Sequence, residues 1–518
     1  MSSSSDDEST TGRSARAVAT DAASQAVHKL TGLVEGSSLA QSFLSNNNNN
    51  NNNPPTHPAA ANAHRLQLLT REQRRFAELE AVLPDRNSAW GFPTDEEHER
   101  PAALSFSPSA LLASGSRFLK SVSQASAVSS RITDLLSYLG RSNPVPKAVT
   151  AKDSVWLLDN VAFVDPAAAA ANNKNNNTTY QAEYVVAVMA QHPTCRVVDA
   201  VRAVADALGG DALDDAALKT IESRITPFLQ DILPGRQVAA VHGDDWRLQF
   251  SPGGRNGLSS DVRALPVAAP GSLVPTRAEV PAGANGMLQM QTFFTAPPPG
   301  DKADDQTDDK TRRWGVISDI DDTIKLTQTS DPVGILQTTF VDAATPIAGM
   351  PELYAFVQDK LGEAAPFFYL SASPYNLYPF LHGFRQAYYP HGMLVLRDAA
   401  LMSVAGLLAT LTLGTQDYKV DRMRKIHGWL PHMTFVCVGD STQSDPEAYG
   451  EICRTFPGWV GLVLIRKVTD IAALGMAEKN EPERFEKAFE GVPRTVWHVF
   501  EDPQECYALV QQAVGVDR

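Results

Sequence analysis

Trp314 to Lys325 reads WGVISDIDDTIK, an apolar run that ends in three carboxylates, Asp319, Asp321 and Asp322, with Thr323 directly after them. The run before Asp319 has the length and composition of a strand buried in a sheet. Carboxylates gathered where such a strand ends repel one another, and the ordinary relief is a bound cation. The stretch therefore predicts a cation site at the end of a buried strand, with Asp319 the first of its acids.

Working outward, strand and helix patterns alternate along the C-terminal part of the chain. WGVIS is followed by a helix near PELYAFVQDKLG, strand PFFYL, helix NLYPFLHGFRQ, strand MLVL, helix VDRMRKIHGWL, strand MTFVCV, helix DPEAYGEICRTF and strand GLVLI. Such alternation predicts an α/β fold over 313–518, a Rossmann-like parallel sheet covered by helices on both faces. In these sheets ligands bind at the carboxyl ends of the strands. Three strand ends carry suitable groups: Asp319 after Val316-Ile317-Ser318, Ser371 and Ser373 after Phe367 to Leu370, and Asp440 after Phe435 to Val438, with Asp445 five residues on. Lys419 lies on or just before the helix that leads into the last of these strands.

Upstream, Ala296 to Lys310, APPPGDKADDQTDDK, is Pro-rich and then acidic, and marks a linker over 297–312. Before it, 149–296 reads as a mixed α+β accessory domain. VWLLDNVAFVD and EYVVAVMA are strand-like; VVDAVRAVADALGG and LDDAALKTIESRITPFLQDIL are helical and expected to close on glycines; short strands with turn signals make a β-rich second half. PAAAAANNKNNNTT is a surface insertion, and His242 beside Asp244 and Asp245 marks a turn rather than a site. Residues 64–148 form a helical, partly disordered region. Between Leu111 and Leu139 apolar residues recur at helical spacing opposite a face of Ser, Gln, Arg and Lys, which suits either a helix packed on the next domain or one lying at a membrane surface. Residues 1–63, ending in the run Asn46 to Asn53 and PPTHP, lack the apolar content to repay their ordering entropy and read as a disordered tail. Pro55 to Pro58 has the PxxP form that an SH3 domain reads.

The formal net charge of −14 argues against a nucleic-acid partner. The four cysteines, Cys195, Cys437, Cys453 and Cys506, are spread singly, so neither a disulfide framework nor a zinc site is predicted. MSSSSDDEST has neither the basic nor the apolar region of a secretory signal. Ala399 to Gly414 is too short and too rich in Gly, Ser and Thr to span a bilayer, which takes roughly 20 apolar residues, and is expected to be buried or to dip into lipid beside the site.

Asp319-Ile320-Asp321-Asp322-Thr323, Ser371, Lys419 and Asp440 with Asp445 follow one another as the four motifs of the haloacid dehalogenase superfamily do, and the chain resembles it. SDIDDTIK, YLSASP, Tyr389-Pro390-His391-Gly392 before LVLRD, DYK and VGDSTQSDPEAY are similar, more narrowly, to the App1 family of Mg-dependent phosphatidate phosphatases, over about 310 to 475 with a looser likeness over 150 to 296. That resemblance implies a peripheral cytoplasmic enzyme, associated with cortical actin patches in fungi, that cleaves phosphatidate to diacylglycerol and phosphate. With it come expected roles. Asp319 attacks phosphorus, being ionised without a separate base, and forms an aspartyl-phosphate. Asp321 protonates the leaving oxygen and then activates water. Mg²⁺ is held by Asp319, the Asp321 carbonyl and Asp440, with Asp445 at the metal or orienting a metal-bound water or Lys419. Ser371 and Lys419 hold the phosphoryl oxygens, with Thr323 and Ser373 as further substrate contacts. Ser373 rivals Ser371, and Lys425 rivals Lys419, although Lys425 between Arg424 and His427 reads as part of a solvated basic face. Asp322 shapes the turn, and His382, His391 and His427 are structural or solvent-facing. The rival functions are a phosphatase of the same chemistry on a soluble or protein phosphomonoester, and a non-enzymatic cortical actin adaptor.

Overall fold

The computed structural model describes Ser137 and residues 139–165, 179–191, 197–207, 213–254, 257–298, 313–397, 415–469 and 476–515. The expectations for the 1–63 tail, the PxxP segment, nearly all of the 111–139 helix, the polyasparagine insertion, most of the linker and the 399–414 run lie outside these residues.

In the N-terminal part of the described chain the strands of the larger sheet are β1 (Asp153–Leu157), β2 (Asn160–Val164), β3 (Tyr180–Ala190), β4 (Ala239–His242), β5 (Trp246–Gln249), β6 (Leu258–Leu265), β7 (Leu273–Glu279), β8 (Asn285–Met287) and β9 (Gln289–Phe294). Helices α1 (Val197–Ala207) and α2 (Asp215–Leu229) follow β3. β1 and β2 are one long strand interrupted at Leu158 and Asp159: β1 pairs β3 from Asp153↔Ala190 to Leu157↔Val186, and β2 resumes one residue out of step, at Ala162↔Ala182. That offset is a β-bulge. The neighbouring strand breaks opposite it between β8, parallel to β1, and β9, parallel to β2. β6 covers the other edge of β3, and β7, β4 and β5 extend the sheet beyond β9. α2 starts where Asp214 accepts a hydrogen bond from the Ala217 amide. It does not run on to a glycine as expected; Pro227 removes an amide donor from its last turn, and the helix stops at Leu229.

The C-terminal part holds a sheet of six parallel strands. They are β10 (Trp314–Asp319), β11 (Phe367–Pro374), β12 (Met393–Arg397), β13 (Thr434–Asp440), β14 (Val460–Arg466) and β15 (Trp497–Phe500), in the order β12-β11-β10-β13-β14-β15. Helices α3 (Met350–Leu361), α4 (Tyr378–Tyr388), α5 (Thr415–Trp429), α6 (Asp445–Thr455) and α7 (Glu505–Val514) accompany it. The expected α/β architecture is present, and the acid-bearing strand β10 is central, every residue of it buried.

Both faces of β1 to β3 are apolar, and they meet different neighbours. Val155, Leu157, Ala162, Tyr184 and Val186 face the core of their own region, while Trp156, Val161, Phe163, Val185 and Ala187 belong to a second core continuous with the parallel sheet. The period of two along the strands thus divides two cores. Phe163 stacks on Trp429 of α5 at 5.2 Å, and Trp156 meets Tyr375 edge-on at 6.5 Å. Polar pairs cross the same surface. Asp159, in the bulge, accepts from Arg385 at 2.8 Å and lies 3.0 Å from His382 Nε2. Lys425 is not on a solvated face: its ammonium lies 2.5 Å from Glu183 of β3, the two side chains being 4% and 2% exposed. The basic run around it misleads because a second sheet covers this side of α5.

Candidate active site

Each site residue lies at a strand end, in the loop just after β10, or in a helix next to a strand. Gly439 has to be glycine: a Cβ there would lie 2.6 Å from the Cβ of Asp445, the close approach that lets β13 deliver Asp440 beside the first turn of α6. Asp319 Oδ1 lies 2.6 Å from Lys419 Nζ, which also bonds Asp445 Oδ1. Asp445 Oδ2 accepts from the Asp440 amide at 3.0 Å. The Thr323 hydroxyl sits 3.1 Å from both Asp319 Oδ2 and Asp440 Oδ2. Asp440 Oδ1 accepts from the Thr442 amide at 2.5 Å and from the Thr442 hydroxyl. Asp319, Asp440 and Asp445 each offer an oxygen within 4.8 Å of the others, and this buried triad could hold a metal ion.

Asp321 turns to the side. Its Oδ2 accepts from the Ser371 hydroxyl at 2.6 Å and its Oδ1 from the Thr327 hydroxyl at 2.8 Å. Ser371 in turn accepts from the Ser373 amide at 3.0 Å. Asp322 has φ of 61°, and its carboxylate accepts from the amides of Thr327, Gln328 and Thr329 at 2.9, 2.7 and 2.7 Å and from the Thr329 hydroxyl at 2.6 Å. It is a loop-shaping acid, as its place in the turn suggests. The structure thus gathers Asp319, Asp321, Thr323, Ser371, Lys419, Asp440 and Asp445, with Ser373 adjoining. Lys425 and the histidines are engaged elsewhere: His382 and His391 at the inter-sheet surface, and His427 stacked 3.7 Å from Phe456. His242 bonds Tyr184 and Thr276 in the other core.

The electrostatics follow from burial. Burial and then the neighbouring Asp445 hold the Asp319 carboxyl well above the usual range, and the same causes push Asp440 up to about 6. Burial opposes the charge on Lys419, but Asp319, Asp445 and Asp440 outweigh it and hold the ammonium above its ordinary value. Lys419 thus faces three carboxylates in a buried site. A hard divalent cation would fit that oxygen donor set and restore ionisation.

Sequence reasoning missed Thr327, Thr442, Arg466, whose Nη1 donates to the Asp322 carbonyl at 2.9 Å, and Lys325. Lys325 lay inside the opening stretch; the others carry no sequence signal beyond nearness to a motif.

Against this geometry stand two comparisons. The family model described as "Phosphatidate phosphatase APP1, catalytic domain" matches residues 314–467. This region is App1-like. Phosphatidate phosphatase APP1 of Saccharomyces cerevisiae is 30% identical over 155 residues, which is 29% of this chain and 25% of that protein. The chain therefore aligns with about a quarter of its relative's length, and the App1-like region holds β10 to β14 and every acid of the site.

Proposed function

We propose that the chain is a phosphatidate phosphatase, with its App1-like region built on the haloacid dehalogenase plan and dependent on Mg²⁺. The observation that carries the proposal is the buried surplus of carboxylate at the end of β10, partly balanced by Lys419, in the region similar to a phosphatidate phosphatase catalytic domain. Mg²⁺ would be held by Asp319, Asp440 and the Asp321 carbonyl and would offset the repulsion between carboxylate and phosphate. Asp445, with both oxygens already bonded to Lys419 and the Asp440 amide, fixes those two groups in place.

In this reading Asp319 bonds to phosphorus as the phosphorus–oxygen bond to the glycerol breaks, and Asp321 gives its proton to the departing oxygen, so that diacylglycerol leaves as an alcohol. Asp321 then takes a proton from the water that cleaves the aspartyl-phosphate, which returns Asp319 and releases phosphate. Lys419 and the Ser371 hydroxyl hold phosphoryl oxygens, Ser371 leaving Asp321 to do so, with Thr323 and Ser373 shaping the same pocket. A substrate held in a bilayer calls for an enzyme that works at the membrane surface.

Phosphate release by the purified chain from phosphatidate in detergent mixed micelles tests the proposal. Release is expected with Mg²⁺, absent with chelator, and lowered on the order of a thousandfold or more in Asp319→Asn. Release from phosphopeptides but not phosphatidate would overturn the substrate; no release from any phosphomonoester would overturn the enzyme.

A further inference from the structure

Lys325 is 1% exposed, which is rare for a lysine, and among the described residues its ammonium contacts a hydroxyl, a carbonyl and an aromatic ring. Its Nζ donates to the Thr327 hydroxyl at 2.8 Å and to the Leu326 carbonyl at 3.2 Å, and lies over the Phe380 ring, 5.5 Å from its centroid. On the same ring sits Arg224 from α2, at 4.4 Å. The contacts settle where the one hydroxyl proton of Thr327 goes. Because Lys325 donates to that oxygen, the proton must go to an acceptor, and Asp321 Oδ1 at 2.8 Å is better placed than the Lys325 carbonyl at 3.3 Å. Thr327 is itself anchored, its carbonyl accepting from the Thr338 hydroxyl at 2.9 Å. Oδ1 of Asp321 is therefore tied to Thr327, whereas Oδ2 is held by Ser371, the residue that the proposed function turns towards substrate.

We propose that Lys325 and Thr327 are positioning residues for proton transfer: they clamp Oδ1 of Asp321 so that Oδ2 is the oxygen that exchanges protons with the leaving group and with water. This rests on the reading of Asp321 as the acid and base. A carboxyl group turned by an ångström delivers its proton poorly, and general acid catalysis is worth about 10²- to 10⁴-fold. The clamp explains why the fold keeps a lysine in a place that costs desolvation.

Thr327→Val keeps the shape and removes the hydroxyl, Thr327→Ser restores it, and Lys325→Met keeps the stem and removes the charge. kcat/KM is measured on two substrates, phosphatidate in mixed micelles and p-nitrophenyl phosphate, whose leaving group departs without a proton. This parameter covers only the steps through leaving-group departure, so the later water step does not enter. Thr327→Val and Lys325→Met are expected to lower kcat/KM on phosphatidate by about 10- to 100-fold and on the aryl ester by less than about threefold, with Thr327→Ser close to the unmodified chain. If the unmodified chain does not turn over the aryl ester, a loss in kcat on phosphatidate rescued by Thr327→Ser at steady KM decides in favour. Equal losses on both substrates, a loss confined to KM, failure of Thr327→Ser to rescue, or no loss in either apolar variant would overturn the clamp. Should Thr327→Val not fold, Lys325→Met carries the test alone. An unmodified chain inactive on every phosphomonoester would refute the proposed function instead, which keeps the two failures distinct.

Discussion

Replacing Lys425 by Met would strand Glu183. The pair is 2.5 Å apart with side chains 4% and 2% exposed, so solvent does not screen it as it would a surface pair. Glu183 Oε1 also accepts from the Ser260 hydroxyl at 2.5 Å, which holds the carboxylate where it is once its cation has gone. Met preserves the packing of the lysine stem near Trp429, where the ammonium lies 5.1 Å from the ring centroid. What is lost is charge compensation, which for a buried pair costs about 3–5 kcal/mol when one partner is removed. Glu183→Leu should likewise destabilise the chain, because it removes the buried carboxylate that faces the Lys425 ammonium. The double variant Lys425→Met/Glu183→Leu buries neither charge and should recover to within about 1–2 kcal/mol of the unmodified chain, the remainder including the acceptor lost to Ser260. Urea unfolding of the full chain, followed by tryptophan fluorescence and far-ultraviolet circular dichroism, measures all four proteins. Because α5 also carries Lys419, the single variants should lose the proposed phosphatase activity at urea concentrations the unmodified chain tolerates. A cost below about 1 kcal/mol for Lys425→Met, or a double variant as unstable as the sum of the singles, would refute a desolvated pair at this surface.

Two other outcomes follow from single residues. Burial, with Arg385 beside it, lowers His391 from 6.5 to about 4, so below pH 6.5 the unfolded chain takes up a proton that the folded one refuses; stability should be full above about pH 6.5, fall as pH drops towards 4 by at most about 3 kcal/mol, and do so less in His391→Phe when unfolding midpoints are compared across that range. Asp322→Ala orphans the amides of Thr327, Gln328 and Thr329 and the Thr329 hydroxyl at a position with φ of 61°, and should cost about 2–4 kcal/mol in urea unfolding together with most of the activity, while Asp322→Asn, which keeps an acceptor oxygen and tolerates the left-handed backbone, should cost less.

Asp319, Asp321, Ser371, Lys419, Asp440 and Asp445 were legible because each stands at a strand end or in the helix that leads to or from one, and a parallel sheet brings its strand ends to one edge. That is a short-range inference repeated several times: an apolar run, then an acid or a hydroxyl. Asp322 could also be read locally, since an acid just past the strand has loop amides within reach. Thr327 could not, because a threonine after a motif has no pattern that distinguishes a hydroxyl aimed at Asp321 from one in solvent.

By its own pattern the sequence determined the alternating fold around β10 and the identity of the acids that share its edge, because strand period and strand termination are local properties of the chain. Only the tertiary structure decided that Lys425 is buried against Glu183, that Asp159 reaches Arg385 from a bulge, and that Lys325 stands behind Asp321. The physical reason is that a charged side chain's environment depends on what covers it. For Lys425 the cover is a strand more than two hundred residues away in the chain, whose second apolar face reads as simple hydrophobicity until another sheet is laid on it.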